Sequence, residues 1–565
     1  MLYKFKIFHW LLPLTAFSAM AQVGPERTYQ IPVKLPPYLS GNFAELRNNH
    51  FHSGIDFKTQ GSIGHPVYSF DEGWISRIVM SPTGYGNALY VTHYNGLTTV
   101  YAHLDKFAPE IRRCIKEYQY KHETCRVDVR LEKDEFPVKR GQEIAKSGNT
   151  GSSAGPHLHF EIRDTDAQYA LDPLAYFINK IKDTTKPELR SVRVYPLEGV
   201  VNSKLAAVTA NPVRHEDGTT GLSKAITAWG KIGIGIKAYD KMDDTYHIYG
   251  VKQVRLYVDD TLHFSMQHNR FAFADTRYLN SLTDYADWQS RRSMVMKLFI
   301  EPGNKLDCYR QVIDRGEITI NEERPYRIRL ELQDLHGNKK VFPFTIRGKK
   351  QDIPQRPTQG VAHFPYNQDN RYETDRFAID IPEGMLYTDI DFSYRTTPSV
   401  KGYSEIHHVG DPLIPLHSYV DISIGLTKDP IADKSKYYIA WMRGAEPKYL
   451  GGTYENGAVK AATRAFGSYV VMADTVAPIL KPVNPANWQK NGMVRYSMTD
   501  GQTGIKSWRG EVDGNFALFE NYGESNILTY HIDGSRIEKG KTHTVTMTVT
   551  DNRGNESRDE RTFYW

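Results

Sequence analysis

The chain has 565 residues, of which 40% are hydrophobic and 24% are charged, and its formal net charge is +5. This length is too great for one hydrophobic core and predicts about four domains. The net charge is small for a chain of this size, and no run of Lys and Arg stands out. The composition therefore gives no indication of nucleic-acid binding.

The first residues have the pattern of a secretory signal peptide. Lys4 and Lys6 precede an apolar stretch that ends in Ala-Met-Ala at 19–21, a small-x-small cleavage pattern. We therefore expect residues 1–21 to be removed and the mature chain to be periplasmic or secreted. No Cys follows the cut directly, and no later segment approaches 18 consecutive apolar residues, so neither a lipid anchor nor a membrane span is expected in the mature chain.

The rest of the sequence predicts a mainly β protein with repeated units. The 36 Tyr, 43 Gly and 29 Pro are typical of many short strands and turns. The phrase "DTTKPEL" at Asp183 returns as "DTVAPIL" at Asp474, and "YRIRLELQDLHGN" from Tyr326 returns as "HTVTMTVTDNRGN" from His543. Each of the longer segments alternates strictly and then turns, which predicts a strand that leads into a hairpin. The turn that starts at Asp551 lacks the spaced carboxylates and the final Glu of a calcium loop, so we predict a plain turn there.

After residues 1–21, these signals divide the chain into four domains and one linker. We predict a Gly- and His-rich β domain at 30–183, with an insertion at about 107–136. An immunoglobulin-like β-sandwich follows at 184–350, a Pro-rich linker at 351–366, a β-sandwich at 367–473 and a second immunoglobulin-like β-sandwich at 474–565.

The chain has three Cys residues, and export would permit a disulfide. Cys114 and Cys125 lie close together in the charged insertion and either form a disulfide or remain thiols; Cys308 is left over. No C-x-x-C pair is present, so a zinc site built from thiolates is not expected.

The segment "HLHFEIR" predicts a strand with one polar face. Alternation places His157, His159, Glu161 and Arg163 on one side and Leu158, Phe160 and Ile162 on the other. Two charged imidazoles on the same face would repel each other, whereas a bound cation keeps both of them neutral. This pattern favours a metal site.

Two further segments supply candidate ligands. In "HFHSGID", the spacing puts His50, His52 and Asp56 on one side of an extended chain, so two histidines remain as candidates. If Asn95-Gly96 is a type I′ turn, opposed residue numbers sum to 191, and His103 shares a face with Tyr101 while His93 points away. Together these residues make the set that a catalytic zinc site requires, which is three His or Asp ligands and one open position.

Three motifs in order resemble one family. His52-x-x-x-Asp56, "GYGNALYVTHYNGLTTVYAHL" and "VKRGQEIAKSGNTGSSAGPHLHFEI" closely resemble the lysostaphin and LytM-type zinc metallopeptidases, which cut peptide bonds in bacterial peptidoglycan. The resemblance covers roughly residues 38–176. It implies a LytM-type antiparallel β domain in which His52, Asp56 and His159 bind Zn²⁺ and His103 and His157 are the catalytic pair. His50 matches no ligand of the family.

The resemblance implies a zinc-dependent endopeptidase that hydrolyses cross-links or stem peptides of peptidoglycan in cell-wall remodelling. Glu161 either orients a ligand histidine or occupies an ordinary strand position. The insertion is much longer than the usual connection in the family and is either a tolerated surface insertion or a lid over the groove.

Two other functions stay open. One is a catalytically silent LytM-type protein that activates another wall hydrolase. The other is an envelope binding or scaffold protein with a structural metal, although such a metal prefers four protein ligands. The sandwiches could hold the catalytic domain near an envelope protein partner, which is an expectation from fold analogy.

Overall fold

The computed structural model describes residues 28–565 apart from 215, 217–219, 445 and 522–524. The expected signal peptide at 1–21 lies outside the described residues. The prediction of a mainly β protein is confirmed, because antiparallel sheets account for most of the regular structure. Among the helices of the described ranges, none is both long and apolar enough to cross a membrane.

The first part of the chain is built on a large sheet. Its central strand, His157–Asp164, pairs with Ile55–Lys58 on one side and Leu97–Ala102 on the other. The sheet runs in the order Leu39–Gly41, Ile55–Lys58, His157–Asp164, Leu97–Ala102, Asn87–His93, Gly73–Met80 and Val127–Arg130, with Pro137–Val138 on Gly73–Met80 and Ala170–Leu171 on His157–Asp164. A smaller sheet contains Pro66–Tyr68, Glu143–Ser147 and Leu104–Phe107, and a short hairpin contains Leu46–Arg47 and His50–Phe51. The helices are α-helix Pro109–Lys121 and 3₁₀ helix Pro173–Tyr176.

The second part forms one continuous ten-stranded sheet. Its order is Val208–Ala210, Glu188–Val201, Ile226–Tyr239, Lys339–Gly348, Pro325–Gln333, Gln253–Val258, Thr261–Gln267 and Tyr309–Val312, with Met296–Lys297 and Ile318–Ile320 on Ile226–Tyr239. A hairpin joins Pro212–Arg214 and Thr220–Leu222, and the helical segments are Phe273–Tyr278, Leu279–Leu282, Tyr285–Arg291 and Asp314–Gly316. The predicted final hairpin is confirmed, since Pro325–Gln333 pairs antiparallel with Lys339–Gly348.

The regions on the C-terminal side of the linker, 367–473 and 474–565, are called the third and fourth parts, and each contains two larger sheets. The third has Asn370–Thr374, Phe377–Ile381, Pro415–Gly425, Ala458–Ala465 and Thr453–Glu455 in one sheet, and Tyr394–Thr397, Ile406–Val409, Gly467–Ala473, Tyr437–Arg443 and Glu446–Gly451 in the other, with a separate pair, Ala362–Phe364 and Ile390–Phe392, and 3₁₀ helix Lys434–Lys436. The fourth has Ile479–Pro482, Met493–Thr499, Ile527–His531 and Glu520–Asn521 in one sheet and Asn515–Ala517, Ile505–Val512, Thr542–Asp551 and Glu556–Tyr564 in the other, with helical segments Pro485–Asn487 and Trp488–Asn491. The last hairpin, Thr542–Asp551 with Glu556–Tyr564, is again the one that the alternation predicted.

The first two parts share both their sheets and their cores. Arg270–Phe271, from the second part, pairs with Ala170–Leu171 of the first. Phe43 and Phe51 are buried in the core of the second part, whereas Met242 and Tyr249 are buried in the core of the first. The segments on either side of the boundary therefore exchange hydrophobic side chains, and each domain completes the other's core.

Candidate metal centre

The central strand places the candidate site on one face of the large sheet. Leu158, Phe160 and Ile162 are fully buried in the core, so the alternation directs His157, His159 and Glu161 to the opposite face, as predicted. His159 pairs with Asp56 on one neighbouring strand and with Ala102 on the other. The register therefore brings the "HFHSGID" segment and the end of "VYAHL" to the same place.

Three side-chain atoms meet at one point. His52 Nε2 lies 3.0 Å from Asp56 Oδ1 and 3.0 Å from His159 Nδ1, and His159 Nδ1 lies 2.9 Å from Asp56 Oδ1. All three residues are buried. These three residues are the ones that the sequence motifs indicated as metal ligands. Their candidate ligand atoms lie within 3.0 Å of one another.

The outer contacts of the two histidines fix which nitrogen faces the cluster as an acceptor. His52 Nδ1 lies 2.7 Å from the carbonyl oxygen of Asn42, and His159 Nε2 lies 2.9 Å from Glu161 Oε1. A carbonyl or a carboxylate can only accept, so these two nitrogens carry the protons. In the neutral rings the lone pairs of His52 Nε2 and His159 Nδ1 then converge on Asp56 Oδ1, and a metal cation or a proton placed among them compensates the three acceptors.

The charge balance of the cluster agrees with this need for a cation. Burial lowers the pKa of His52. For His159, burial also acts to lower the pKa, but its hydrogen bonds to Asp56 and Glu161 outweigh burial and raise the pKa to about 9. Burial would raise the pKa of Asp56, yet His52 and His159 hold it well below its usual range. Without a metal, the cluster therefore retains a proton in the place that a metal ion would take.

The free oxygen of Asp56 is held by an arginine that the sequence interpretation did not single out. Arg47 Nη2 lies 3.1 Å from Asp56 Oδ2, and Arg47 Nε lies 3.1 Å from Glu45 Oε1. Burial raises the pKa of Glu45 to about 7. Arg47 thus orients the carboxylate so that only Oδ1 is directed towards the histidines.

His103 and His157 lie beside this cluster with their rings 4.8 Å apart. His103 Nδ1 donates to the carbonyl oxygen of Thr150 at 2.8 Å, and His157 Nδ1 donates to that of Gly155 at 2.8 Å. Both rings therefore keep Nε2 available, and His157 Nε2 lies 3.6 Å from Asp56 Oδ1. Burial, with the neighbouring His159 and His157, lowers the pKa of His103 to about 4, so this ring is a neutral acceptor at neutral pH.

The predicted hairpin register is wrong by one residue. Leu89 pairs with Tyr101 and Thr92 pairs with Thr98, so opposed numbers sum to 190 and the turn is longer than a two-residue type I′ turn. Tyr101 lies in the core, and His103 reaches the site for another reason: its φ of 59° places it in the left-handed region, which ends the alternation. His93 is directed away from the site, as expected, and contacts Thr99.

Glu161 is fully buried and belongs to the site. Besides His159 Nε2, its carboxylate accepts hydrogen bonds from Ser53, Tyr85 and Arg163. Burial acts to raise its pKa, but Arg163 and His159 outweigh burial and lower it to about 2. Two roles were left open for Glu161. Its contact with His159 favours the orientation of that histidine, and the alternative prediction of an ordinary surface position on the strand is wrong because the side chain is buried.

The cluster lies in a groove of about 850 Å³. The second part of the chain supplies one wall of this groove through His247, Phe273 and Thr276. Thr276 Oγ1 also accepts a hydrogen bond from the backbone N–H of Phe51 at 2.8 Å, next to His52. His50 lines the groove as well, but its ring is bound at 2.9 Å to the carbonyl oxygen of Asn48 and lies outside the cluster.

The insertion forms no part of the groove in the described part of the chain. Its helix, Pro109–Lys121, contacts the fourth part instead: Lys116 forms an ion pair with Asp533 at 2.7 Å, and the Arg536 guanidinium lies 3.3 Å from the ring centre of Tyr120. A lid over the groove is therefore not supported. Cys114 and Cys125 are both free thiols in the structure.

Comparisons with known proteins agree with the sequence motifs. Residues 50–120 and 116–173 match the family model "Peptidase family M23", so the part of the chain that holds the cluster is a peptidase M23 domain. Residues 361–474 match the model "Zu5-like domain", which coincides with the β-sandwich expected at 367–473.

Curated relatives share this domain with the chain. The peptidoglycan DD-endopeptidase ShyB of Vibrio cholerae is 36% identical over 138 residues, which are 24% of this chain and 26% of the relative. The DD-carboxypeptidase/endopeptidase Mpg of Neisseria meningitidis is 34% identical over 21% of each chain. A solved zinc-containing peptidase from Vibrio cholerae is 32% identical over 26% of this chain and 39% of that chain, with a TM-score of 0.20. The chain thus matches about a quarter of the length of its curated relatives.

Proposed function

We propose that this protein is a zinc-dependent endopeptidase that hydrolyses peptide cross-links or stem peptides of peptidoglycan in the cell envelope. The observation that supports this most strongly is the convergence of His52 Nε2, Asp56 Oδ1 and His159 Nδ1 within 3.0 Å of one another, beside two further histidines. A catalytic zinc site has the same composition, with three protein ligands of His and carboxylate type and one position left for water or substrate.

His52, Asp56 and His159 are the residues that would hold the metal. Two neutral imidazoles and one carboxylate without thiolates suit zinc. Asn42, Glu161 and Arg47 hold the outer atoms of these three ligands, as the outer contacts of metal ligands commonly do. When bound, zinc supplies a Lewis acid and lowers the pKa of water towards neutrality.

His103 and His157 would carry the proton transfers of the reaction. Each donates its Nδ1–H to a backbone carbonyl, so Nε2 is the atom that takes a proton from water and returns one to the leaving amine. General acid–base catalysis of this kind is worth roughly 10²–10⁴-fold in rate. Since both rings lie next to the ligand cluster, either can reach a scissile amide bound there.

The proposed substrate rests on the groove and on the relatives. The groove has a volume of about 850 Å³, contains the candidate metal site and is lined by both polar and apolar side chains, among them Ser152, Ser153 and Phe273. The relative ShyB is a peptidoglycan DD-endopeptidase, and the relative Mpg is a DD-carboxypeptidase/endopeptidase. The presence of all five functional side chains favours an active hydrolase over a catalytically silent activator.

The test is digestion of isolated peptidoglycan by the purified full chain, followed by mass spectrometry of the released peptides. We expect new amino groups, loss of activity with a chelator and recovery with zinc. His157→Gln should lower kcat by at least about 10²-fold while zinc content stays at one ion per chain.

His122→Gln is the matched control, because His122 is exposed at the end of helix Pro109–Lys121 and lies outside the groove. It should leave both zinc content and kcat unchanged. A zinc-loaded protein that releases no peptide from any wall preparation would refute the hydrolase function.

A further inference from the structure

Lys58 ends the strand that carries the candidate metal ligand Asp56. Within this strand, Ile55–Lys58, Phe57 is fully buried in the core of the peptidase domain. The alternation therefore directs Asp56 and Lys58 to the opposite face, and both side chains line the groove. Lys58 is half-buried, so a positive charge lies inside the groove that holds the candidate metal centre.

The register of the sheet places Lys58 beside His157. These two residues are opposed on neighbouring antiparallel strands, and the next opposed pair on this face is Asp56 with His159. Opposed side chains share a face of the sheet, with their Cβ atoms about 4.5–5.5 Å apart. Two residues of a strand span about 7 Å, so Lys58 adjoins one of the two proposed catalytic histidines at about that distance along the strand from Asp56.

The charge of Lys58 is not compensated by a carboxylate of the described residues. Over the part of the chain that the structure describes, the Lys58 side chain forms neither an ion pair nor a hydrogen bond. Asp56 is the single carboxylate among the residues that line the groove, and both of its oxygens are held, Oδ1 by the histidines of the cluster and Oδ2 by Arg47. Arg47 also pairs with Glu45. Lys58 is therefore the groove cation that remains available to a ligand.

This arrangement of charges favours a negatively charged ligand. Arg47 and Lys58 outnumber Asp56 among the charged residues that line the groove, and a divalent ion held by the cluster would increase the positive excess. A half-buried cation among other positive groups raises the free energy of the unliganded site unless a ligand compensates its charge. A lysine ammonium has three N–H donors and binds anions as a compact point charge. The anionic group that a peptide substrate brings to Lys58 is a carboxylate.

We propose that Lys58 binds a carboxylate of the substrate that lies one or two residues from the scissile amide. An extended peptide rises about 3.4 Å per residue, so the spacing of about 7 Å between Asp56 and Lys58 corresponds to two residues, and the reach of the lysine side chain allows one. This subsite rests on the proposed function, since the carboxylate is defined by its distance from the bond that is cut. The terminal carboxylate of a stem peptide and a lateral one offer Lys58 the same chemistry.

The test uses the full-length, zinc-loaded protein and three synthetic stem peptides. One peptide has a free lateral and a free terminal carboxylate, and in each of the other two one of these groups is converted to an amide. We expect amidation of the recognised carboxylate to lower kcat/KM of the wild type by about tenfold, because a charge-assisted hydrogen bond is lost. The change should lie mainly in KM, since the contact is the same in the ground state and the transition state. The amide that slows cleavage identifies which carboxylate Lys58 binds.

Lys58→Met keeps an unbranched side chain of similar length and removes its charge. It should lower kcat/KM on the free peptide by about tenfold and make the rate insensitive to amidation, whereas Lys58→Arg should retain most of the preference. Lys139→Met is the matched control, because Lys139 is exposed in the same domain and lies outside the groove, and it should behave like the wild type. An undiminished preference for the free carboxylate in Lys58→Met, or no preference in the wild type, would overturn the proposal.

Calorimetric binding of the same peptides separates this proposal from the proposed function. The zinc-loaded variant His103→Gln, in which cleavage is slowed, should bind the free peptide about tenfold more tightly than the amidated one, and adding Lys58→Met should remove the difference. A binding preference that depends on Lys58, without cleavage by the wild type, would refute the peptidase function and support the carboxylate subsite. Equal or undetectable binding of the peptides by His103→Gln would overturn the subsite, whether or not the wild type cleaves them.

Discussion

Glu161 shows how much of the candidate site depends on a residue that would not touch the metal. Its carboxylate accepts the Nε2–H of His159 and is itself held by Ser53, Tyr85 and Arg163. These contacts select the tautomer in which His159 Nδ1 faces Asp56. A neutral amide at position 161 would accept the same proton more weakly and would not stabilise the ring orientation equally well.

We therefore expect Glu161→Gln to weaken zinc binding by about 10–100-fold. The measurement is competition for zinc against a chelator of known affinity, followed by hydrolysis of peptidoglycan at saturating zinc. Glu143→Gln is the control, because Glu143 is a surface residue of the same domain that pairs with Lys146. Equal zinc affinity in the two variants would contradict the role given to Glu161.

His268 gives a prediction about pH. Burial, with the charges of Lys252 and Arg310, lowers the pKa of His268 to about 3. Since an unfolded chain has a His pKa of about 6.5, it binds more protons than the folded protein between pH 6.5 and 3, and stability falls as the pH falls through this window. The loss approaches about 1.4 kcal/mol per pH unit.

The variant His268→Gln lacks this titration and should lose less stability in acid. Between pH 6.5 and 5, scanning calorimetry should show the wild-type melting temperature falling by about 3–6 °C more than that of the variant. Parallel falls in the two proteins would mean that His268 does not remain neutral in the fold.

Some residues of the candidate site could be predicted from the sequence and others could not. The alternation in "HLHFEIR" correctly separated His157, His159 and Glu161 from the core residues, because strand geometry fixes the two faces. His103 reaches the site through a positive φ, and no local pattern indicates where that occurs. Arg47 lies in a two-residue strand and the Asn42 carbonyl in an irregular segment, and the direction of each group depends on the folded backbone.

At the scale of elements, helix Pro109–Lys121 packs between the peptidase domain and the fourth part of the chain. Ile111 and Ile115 pack into the core of the peptidase domain, and Tyr120 packs against Phe516 and Arg536 of the fourth part. Glu123, just beyond the helix, forms an ion pair with Arg509 at 2.8 Å. The insertion is therefore a docking element between domains.

Replacing Tyr120 by Ala tests this contact without touching the groove. We expect the unfolding transition that includes the fourth part to lose about 1–2 kcal/mol, because a cation–π pair and an aromatic pair are removed. The melting temperature and kcat/KM on peptidoglycan are the two measurements, and kcat/KM should stay within about twofold. Lys121→Ala, at the exposed end of the same helix, is the control; a similar loss of stability there would show that the effect is one of helix propensity.

The hairpin between Asn87 and Ala102 shows why element boundaries are harder to predict than elements. The Asn-Gly pair correctly indicated a turn between two strands, which are Asn87–His93 and Leu97–Ala102. The register was wrong, because the turn has one residue more than the type I′ turn assumed, and this shifts every opposed pair. Turn length is set by backbone geometry that several sequences satisfy equally well.

At the scale of the whole molecule, the peptidase domain and the second part depend on each other. Phe43, which precedes the short hairpin, and Phe51, which lies in its second strand, are buried in the second core. Burial of a Phe side chain is worth roughly 1.5–3 kcal/mol, so the neighbouring domain stabilises the start of the "HFHSGID" segment, whereas Ile55 at its end is buried in the core of the peptidase domain. The sequence could not show this, since each segment alone reads as an ordinary strand.

A truncated chain, 28–182, should therefore expose both Phe side chains and lose the alignment of His52 with His159. We expect its zinc affinity and its hydrolysis of peptidoglycan to fall by at least about tenfold relative to chain 28–350. Both fragments should be compared by zinc competition and by circular dichroism, which reports whether 28–182 keeps its sheet. Full activity in 28–182 would show that the shared core is dispensable.

The shared core also determines the order in which parts of the protein can fold. A ribosome releases the residues of the metal cluster early, but the second core includes the strand that ends at Gly348. Until that residue is available, the second core that buries Phe51 is incomplete, and the segment that carries His52 lacks part of its support. The cluster of His52, Asp56 and His159 would consequently reach its final arrangement only once well over half of the polypeptide is available to fold.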